Sequence, residues 1–193
     1  MLFERKSATL FVMKHIGVFC AASQRLEAAY YDEALRVGHK IGQMGWALVY
    51  GGANSGSMEC VAQGVHETGG TVVGVVPRIL ETKRRASDYI DELVPCTDLN
   101  DRKQIMIERS DVLLALPGGV GTLDEIFTLM AANSIGYQQK PIVLYNESGF
   151  WNSLLVLLEE YDRKSFINVP CSNYLKVVSS VQELEELLNE CSK

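Results

Sequence analysis

The chain has 193 residues, 47% of them hydrophobic and 22% charged, with a formal net charge of −6. That length suits one domain of ordinary size with a substantial core, and the balance is that of a globular protein. The acidic charge speaks against a general nucleic-acid binder, and no apolar run approaches the ~20 residues that cross a bilayer.

Residues 1–12 carry basic side chains but too short an apolar stretch for a signal peptide. They read as an N-terminal extension, with a single domain over 13–193. From there short apolar runs alternate with amphipathic ones. Residues 16–20 (Ile-Gly-Val-Phe-Cys) form a first expected strand, followed by a helix over 24–43 with Ala28, Ala29, Leu35, Val37 and Ile41 on one face. A second strand over 46–50 ends in Gly51-Gly52. A helix over 57–68 stops at Gly69-Gly70, and a third strand over 71–76 stops at Pro77.

The irregular stretch 80–88 contains Lys83-Arg84-Arg85 among acidic neighbours, and its charge pattern reads as a solvated loop; its functional reading is a loop at the mouth of a site. A short strand over 89–94 comes next, then a helix over 100–109, a strand over 111–116 and a helix over 121–135. A strand over 141–145 and helices over 150–161 and 181–191 complete the chain. Trp151 and Tyr161 read as core residues. The final helix turns Leu184, Leu187 and Leu188 inward and Glu183, Glu185 and Glu186 to water, either over the sheet edge or in a dimer contact. Short β-branched strands alternating with helices indicate a doubly wound, Rossmann-like parallel sheet with helices on both faces.

Cys20, Cys60, Cys96, Cys171 and Cys191 show no C-x-x-C spacing, which suggests reduced thiols and a cytoplasmic location. His15, His39 and His66 have no ligand-like spacing, so neither a metal nor another cofactor is expected.

The chemistry concentrates in Leu116-Pro117-Gly118-Gly119-Val120-Gly121-Thr122-Leu123-Asp124-Glu125, where a buried strand passes through a glycine turn into a helix. Glycines allow the backbone to approach a ligand closely, and the helix start offers unpaired N–H groups that suit a phosphate. Glu125 lies one turn inside that helix. The run lacks the Lys of a P-loop and is not G-x-G-x-x-G. Ala21-Ala22-Ser23 and Gly51 to Ser57 are two further turns at strand carboxyl ends, where ligands bind in such sheets.

Taken together, Phe19-Cys20-Ala21-Ala22-Ser23, Val49-Tyr50-Gly51-Gly52 with Gly56 and Met58, Gly74-Val75-Val76-Pro77, Asp101-Arg102-Lys103 and Pro-Gly-Gly-x-Gly-Thr-x-x-Glu over 117–125 resemble the LOG family. These are the cytokinin riboside 5′-monophosphate phosphoribohydrolases, long mislabelled lysine decarboxylases. The resemblance spans about residues 14–168. It implies cleavage of the N-glycosidic bond of a nucleoside 5′-monophosphate to free base and ribose 5-phosphate, by a homodimer with its site near the subunit interface. It further implies that Arg102 and Glu125 are the catalytic pair and that Lys103 and the backbone of Gly119, Val120, Gly121 and Thr122 bind nucleotide; Ser23, Gly51, Gly52 and Gly118, in the converging glycine- and serine-bearing turns, are expected to bind substrate with them. Cleaving a ribosyl–base bond develops cationic character on the sugar, which an ionised carboxylate stabilises.

This chain departs from the family pattern at Ala21-Ala22, at Leu99-Asn100-Asp101, at Lys83-Arg84-Arg85, where plant-type members carry an acidic residue, and at Ala131, where a Thr is usual. The base therefore stays open between adenine and an N6-prenylated adenine. Two other classes fit such a fold: a non-catalytic carrier of a phosphorylated ligand, resembling the molybdenum-cofactor carriers, and a single-strand DNA module. The Arg102 and Glu125 pair favours the enzyme over the first, and the acidic charge disfavours the second. The scattered lysines offer no recognisable pyridoxal-phosphate setting for a decarboxylase.

Overall fold

The computed structural model describes residues 13–78 and 85–191. Strands β1 (His15–Phe19), β2 (Ala47–Tyr50), β3 (Val72–Pro77), β4 (Glu92–Cys96), β5 (Val112–Ala115), β6 (Ile142–Tyr145) and β7 (Leu175–Val178) alternate with helices α1 (Ala28–Gln43), α2 (Gly56–Glu67), α3 (Leu99–Glu108), α4 (Val120–Ser134), α5 (Asn152–Arg163) and α6 (Val181–Cys191). The strands form one parallel sheet in the order β4-β3-β2-β1-β5-β6-β7. The chain builds outward from β1 to one edge, then crosses to β5 and builds to the other. The switch point lies between β1 and β5, where Leu116 N–H donates to Phe19 O at 3.0 Å.

Alternation along the strands makes the two cores. Ile16, Val18, Leu48, Tyr50, Val112, Leu114, Val143 and Tyr145 face a layer of α1, α2 and α6. Phe19, Val49, Leu113, Ala115, Ile142 and Leu144 face α3, α4 and α5. Successive side chains point to opposite faces, so strands buried on both faces read as unbroken apolar runs. The doubly wound α/β class expected from the sequence is therefore the observed one, in a single domain.

The structure differs from these expectations in four places. α1 starts at Ala28, not near residue 24, because Ser23 Oγ accepts from Arg25 N–H and Tyr31 Oη accepts from Leu26 N–H, holding 23–26 as a turn. β4 is shifted to 92–96, where Asp91 N–H and Oδ2 bond to Val72 O and N–H and set the register; Pro95 is tolerated because the strand is at the edge. β7 carries no expectation from sequence, being four residues with one buried position at each end. Tyr161 is 47% exposed and not a core residue, whereas Trp151 is buried beneath α5. Leu184 and Leu188 of α6 join the α1 layer, and Glu185 pairs with Lys40 at 2.7 Å, so this helix covers the sheet. The expected N-terminal extension and Lys83-Arg84 lie outside the described residues.

Candidate functional site

At the switch point the turns after β1, β2 and β5 surround a cavity of about 430 Å³. Cys20, Ala21, Ala22 and Ser23 line one side, Ala53, Ser55, Met58 and Arg85 another, and Arg102, Gly119, Gly121 and Thr122 complete it. Gly119 is the N-cap residue of α4 and no side chain caps the helix, which leaves first-turn N–H groups for a ligand. A Cβ at Gly119 or Gly121 meets nothing within 4 Å, so these glycines keep the approach open. Gly118 acts differently. A Cβ there would collide with the Thr122 side chain, and its absence lets Thr122 fold inward and lie buried.

Arg102 stands at the start of α3. Asp98 caps that helix by accepting from Asn100 N–H at 2.8 Å and Asp101 N–H at 3.0 Å, while Asp101 accepts from Thr97 N–H at 2.8 Å. The cap sets the helix phase and with it the direction of Arg102, whose Nη2 donates to Glu125 Oε1 at 3.2 Å. Gly51 lies against the guanidinium: a Cβ there would sit 3.4 Å from Arg102 Nη1, an ordinary contact. Arg102 Nε is buried without a partner among the described residues.

Glu125 is 3% exposed. Burial raises its carboxyl to about 7, with Asp124 pushing the same way and Arg102 and Lys103 pulling it down. The Cys20 thiol at the cavity wall is pushed up by burial and by Glu125, so it stays protonated and offers no thiolate nucleophile.

Lys103 does not reach this cavity. Consecutive helical residues point about 100° apart, so Lys103 leaves α3 beside Arg102 and donates to Asp124 Oδ2 at 2.7 Å and Thr128 Oγ1 at 3.3 Å. Arg102 with Glu125 and Lys103 with Asp124 make two adjacent ion pairs that clip α3 to α4. Gly52 has φ +72 and its Cβ would run into Val76, so it serves the packing of β2 against β3. Val120 points to solvent at 83% exposure. Of the residues expected to bind substrate, Ser23, Gly119, Gly121 and Thr122 line the cavity. Gly118 and Gly51 shape it from behind.

Cys20, Ala53, Ser55, Met58 and Arg85 line it without being expected from sequence to bind substrate. The sequence marked the 51–57 turn that supplies Ala53 and Ser55. Arg85 belongs to the 80–88 stretch that the sequence read chiefly as a solvated loop and otherwise as a loop at the mouth of a site; long-range backbone bonds bring it to the cavity: Asn54 N–H to Arg85 O at 2.9 Å, Ser87 N–H to Gly52 O at 3.0 Å, and a bridge between Ala53 and Ala86. Among the described residues no group of three or more His, Cys, Asp or Glu gathers as a metal site, and no helix is long and apolar enough to cross a membrane.

The family model described as "Possible lysine decarboxylase" matches residues 58–188. A cytokinin riboside 5′-monophosphate phosphoribohydrolase of Arabidopsis thaliana, LOG4, is 34% identical over 177 residues, which cover 92% of this chain and 82% of that protein. The molybdenum cofactor binding protein of the phototrophic bacterium Rippkaea orientalis has a similar structure (TM-score 0.74, 25% identity, 95% of this chain and 99% of that one). The molybdenum cofactor carrier protein of Chlamydomonas reinhardtii shares the fold (TM-score 0.70, 23% identity, 93% and 98%).

Proposed function

The chain belongs to the LOG family, matched over 58–188 under its older lysine decarboxylase description, and we propose that it is a phosphoribohydrolase that splits a nucleoside 5′-monophosphate into free base and ribose 5-phosphate. One observation carries this reading: a buried Arg102–Glu125 pair lies beside a cavity that also receives the uncapped N-terminus of α4.

In this reading the phosphate docks on the N–H groups at Gly119 to Thr122, where the helix dipole favours an anion. The ribose then lies over Glu125. As the bond from C1′ to the base nitrogen breaks, the bonding pair leaves with the base and positive charge develops on the ribose ring. The ionised Glu125 stabilises that charge and orients water, which adds to C1′; the proton it releases balances the protonated base. Arg102 fixes the carboxylate in place and opposes the effect of burial, which lets it ionise as pH rises through about 7. Lys103 acts at one remove, keeping α3 and α4 in register.

The test is chromatographic. Purified protein is incubated separately with AMP, IMP and isopentenyladenosine monophosphate, and free base and ribose 5-phosphate are quantified. Wild type is expected to release both, and Glu125→Gln to lose about a hundredfold or more of the rate while still binding nucleotide. A second reading, a carrier of a phosphorylated ligand, draws on the structural likeness to the Rippkaea orientalis molybdenum cofactor binding protein; binding without any base release selects it. The active form in our reading is a homodimer. Val120, Phe127, Tyr161 and Phe166 leave exposed apolar surface on and around α4 and α5 that a second copy would cover, and light scattering on the purified protein gives the mass that decides this.

A further inference from the structure

The cavity has two ends of different chemistry. One is the open N-terminus of α4, where the phosphoribohydrolase reading places the phosphate. The other lies against the start of α2, where the turn after β1 crowds the first helical turn. Met58 N–H of the first turn of α2 is directed at Ala21 O at 3.3 Å, and the backbone of the turn after β1 sits so close that a Cβ on Gly56 would lie 2.6 Å from Ala21 O. Ser55 Oγ is also engaged, donating to Ala22 O at 3.0 Å. Ala53 and Met58 give that end apolar surface, against which a flat base can lie, together with Arg85.

Arg85 and Arg102 are the charged residues of the lining, and Arg102 is committed to Glu125. Arg85 forms no ion pair among the described residues. Its backbone is held to the turn after β2 by the bonds of 85–87 to 52–54. A guanidinium is a donor-only fork. Facing a purine, it pairs with two neighbouring acceptors, O6 and N7 of a 6-oxopurine, and meets a competing donor in the N6 amino group of a 6-aminopurine.

We propose that Arg85 reads the base and selects 6-oxopurine nucleotides over 6-aminopurine nucleotides by bidentate donation to O6 and N7. The inference rests on the phosphoribohydrolase reading for the direction in which the nucleotide lies, and it names the substrate class of that same site.

Calorimetric titration of IMP and AMP tests it, carried out on Glu125→Gln protein so that hydrolysis does not intervene, and repeated with Arg85→Gln and Arg85→Lys added. IMP is expected to bind tighter than AMP by roughly five- to a hundred-fold, the discrimination of one bidentate pair. Arg85→Gln should erase or invert that preference, weakening IMP and leaving AMP as tight or tighter, because a carboxamide can pair with N6 and N7 of adenine. Arg85→Lys, which keeps the charge and loses the fork, should restore only part of it. The inference falls if AMP binds as tightly as IMP, if neither binds, or if Arg85→Gln weakens both alike, which would assign Arg85 to the shared phosphate. Full rescue by Lys overturns the bidentate contact. Turnover is read separately in proteins that retain Glu125: an Arg85-dependent preference for IMP in binding, with no base released from any nucleotide, leaves the base reader standing and removes the hydrolase.

Discussion

Glu125→Gln should make this protein more stable at alkaline pH while removing its activity. The carboxyl is 3% exposed and its pKa is raised by burial from 4.5 to about 7, even with Arg102 beside it. A raised carboxyl binds its proton more tightly in the folded state than in the unfolded chain. Its stabilising contribution is therefore fully present below about pH 4.5 and is lost as pH rises through about 7. At about 1.4 kcal/mol per pH unit the full span is about 3 kcal/mol, of which about 2.5 kcal/mol falls between pH 5 and pH 8.5. Gln keeps the shape and an acceptor for Arg102 Nη2 but cannot ionise. Urea denaturation of both proteins at pH 5 and pH 8.5 measures the effect. Glu33, raised to about 7 by burial and by Glu147, imposes the same trend on both, so the difference between the proteins isolates Glu125. The variant should gain about 2.5 kcal/mol on wild type between the two pH values, or about 5–10 °C in Tm for a domain of this size. Parallel pH profiles would mean that Glu125 titrates at its ordinary value, and would refute the claim of a carboxyl raised by burial.

Three further outcomes follow from the same geometry. Because the ionised form of Glu125 is the working one, kcat/KM of wild type should rise with pH through an apparent pKa near 7; a flat profile from pH 5.5 to 8.5 would remove it from the rate-determining chemistry. Gly56→Ala should cost about 2–4 kcal/mol, from a left-handed φ of +62 and from contact with the backbone of Ala21 to Ser23; an unchanged urea midpoint would show that the two turns are not packed as described. Lys103→Met should leave nucleotide affinity within about twofold and cost about 1 kcal/mol or less, since its partner Asp124 is largely in solvent; a large loss of affinity in calorimetry would place Lys103 on the substrate.

The strand, glycine turn and helix over 112–134 were legible in the sequence because hydrophobic period and glycine placement act within a few residues. The same holds for the alternation that makes the sheet parallel and covered on both faces. Arg102, Lys103 and Glu125 were identifiable as motif residues. Where Arg102 and Lys103 point was not, because that follows from the phase of α3 against α4, set by an N-cap and by packing across more than twenty residues of chain. The strand β7 escaped for a related reason: four residues at a sheet edge have too little period to show, and they become a strand only beside β6.

What the sequence determined by itself was the set of chemical parts and the class of fold, since both are written in local spacing. Tertiary structure alone decided which parts meet. It brought Arg85 to the cavity through backbone bonds to 52–54, turned Lys103 away to Asp124, and buried Glu125 deeply enough to raise its pKa to about 7. Those outcomes depend on solvent exclusion and on distances between segments far apart in the chain, and no local pattern encodes either.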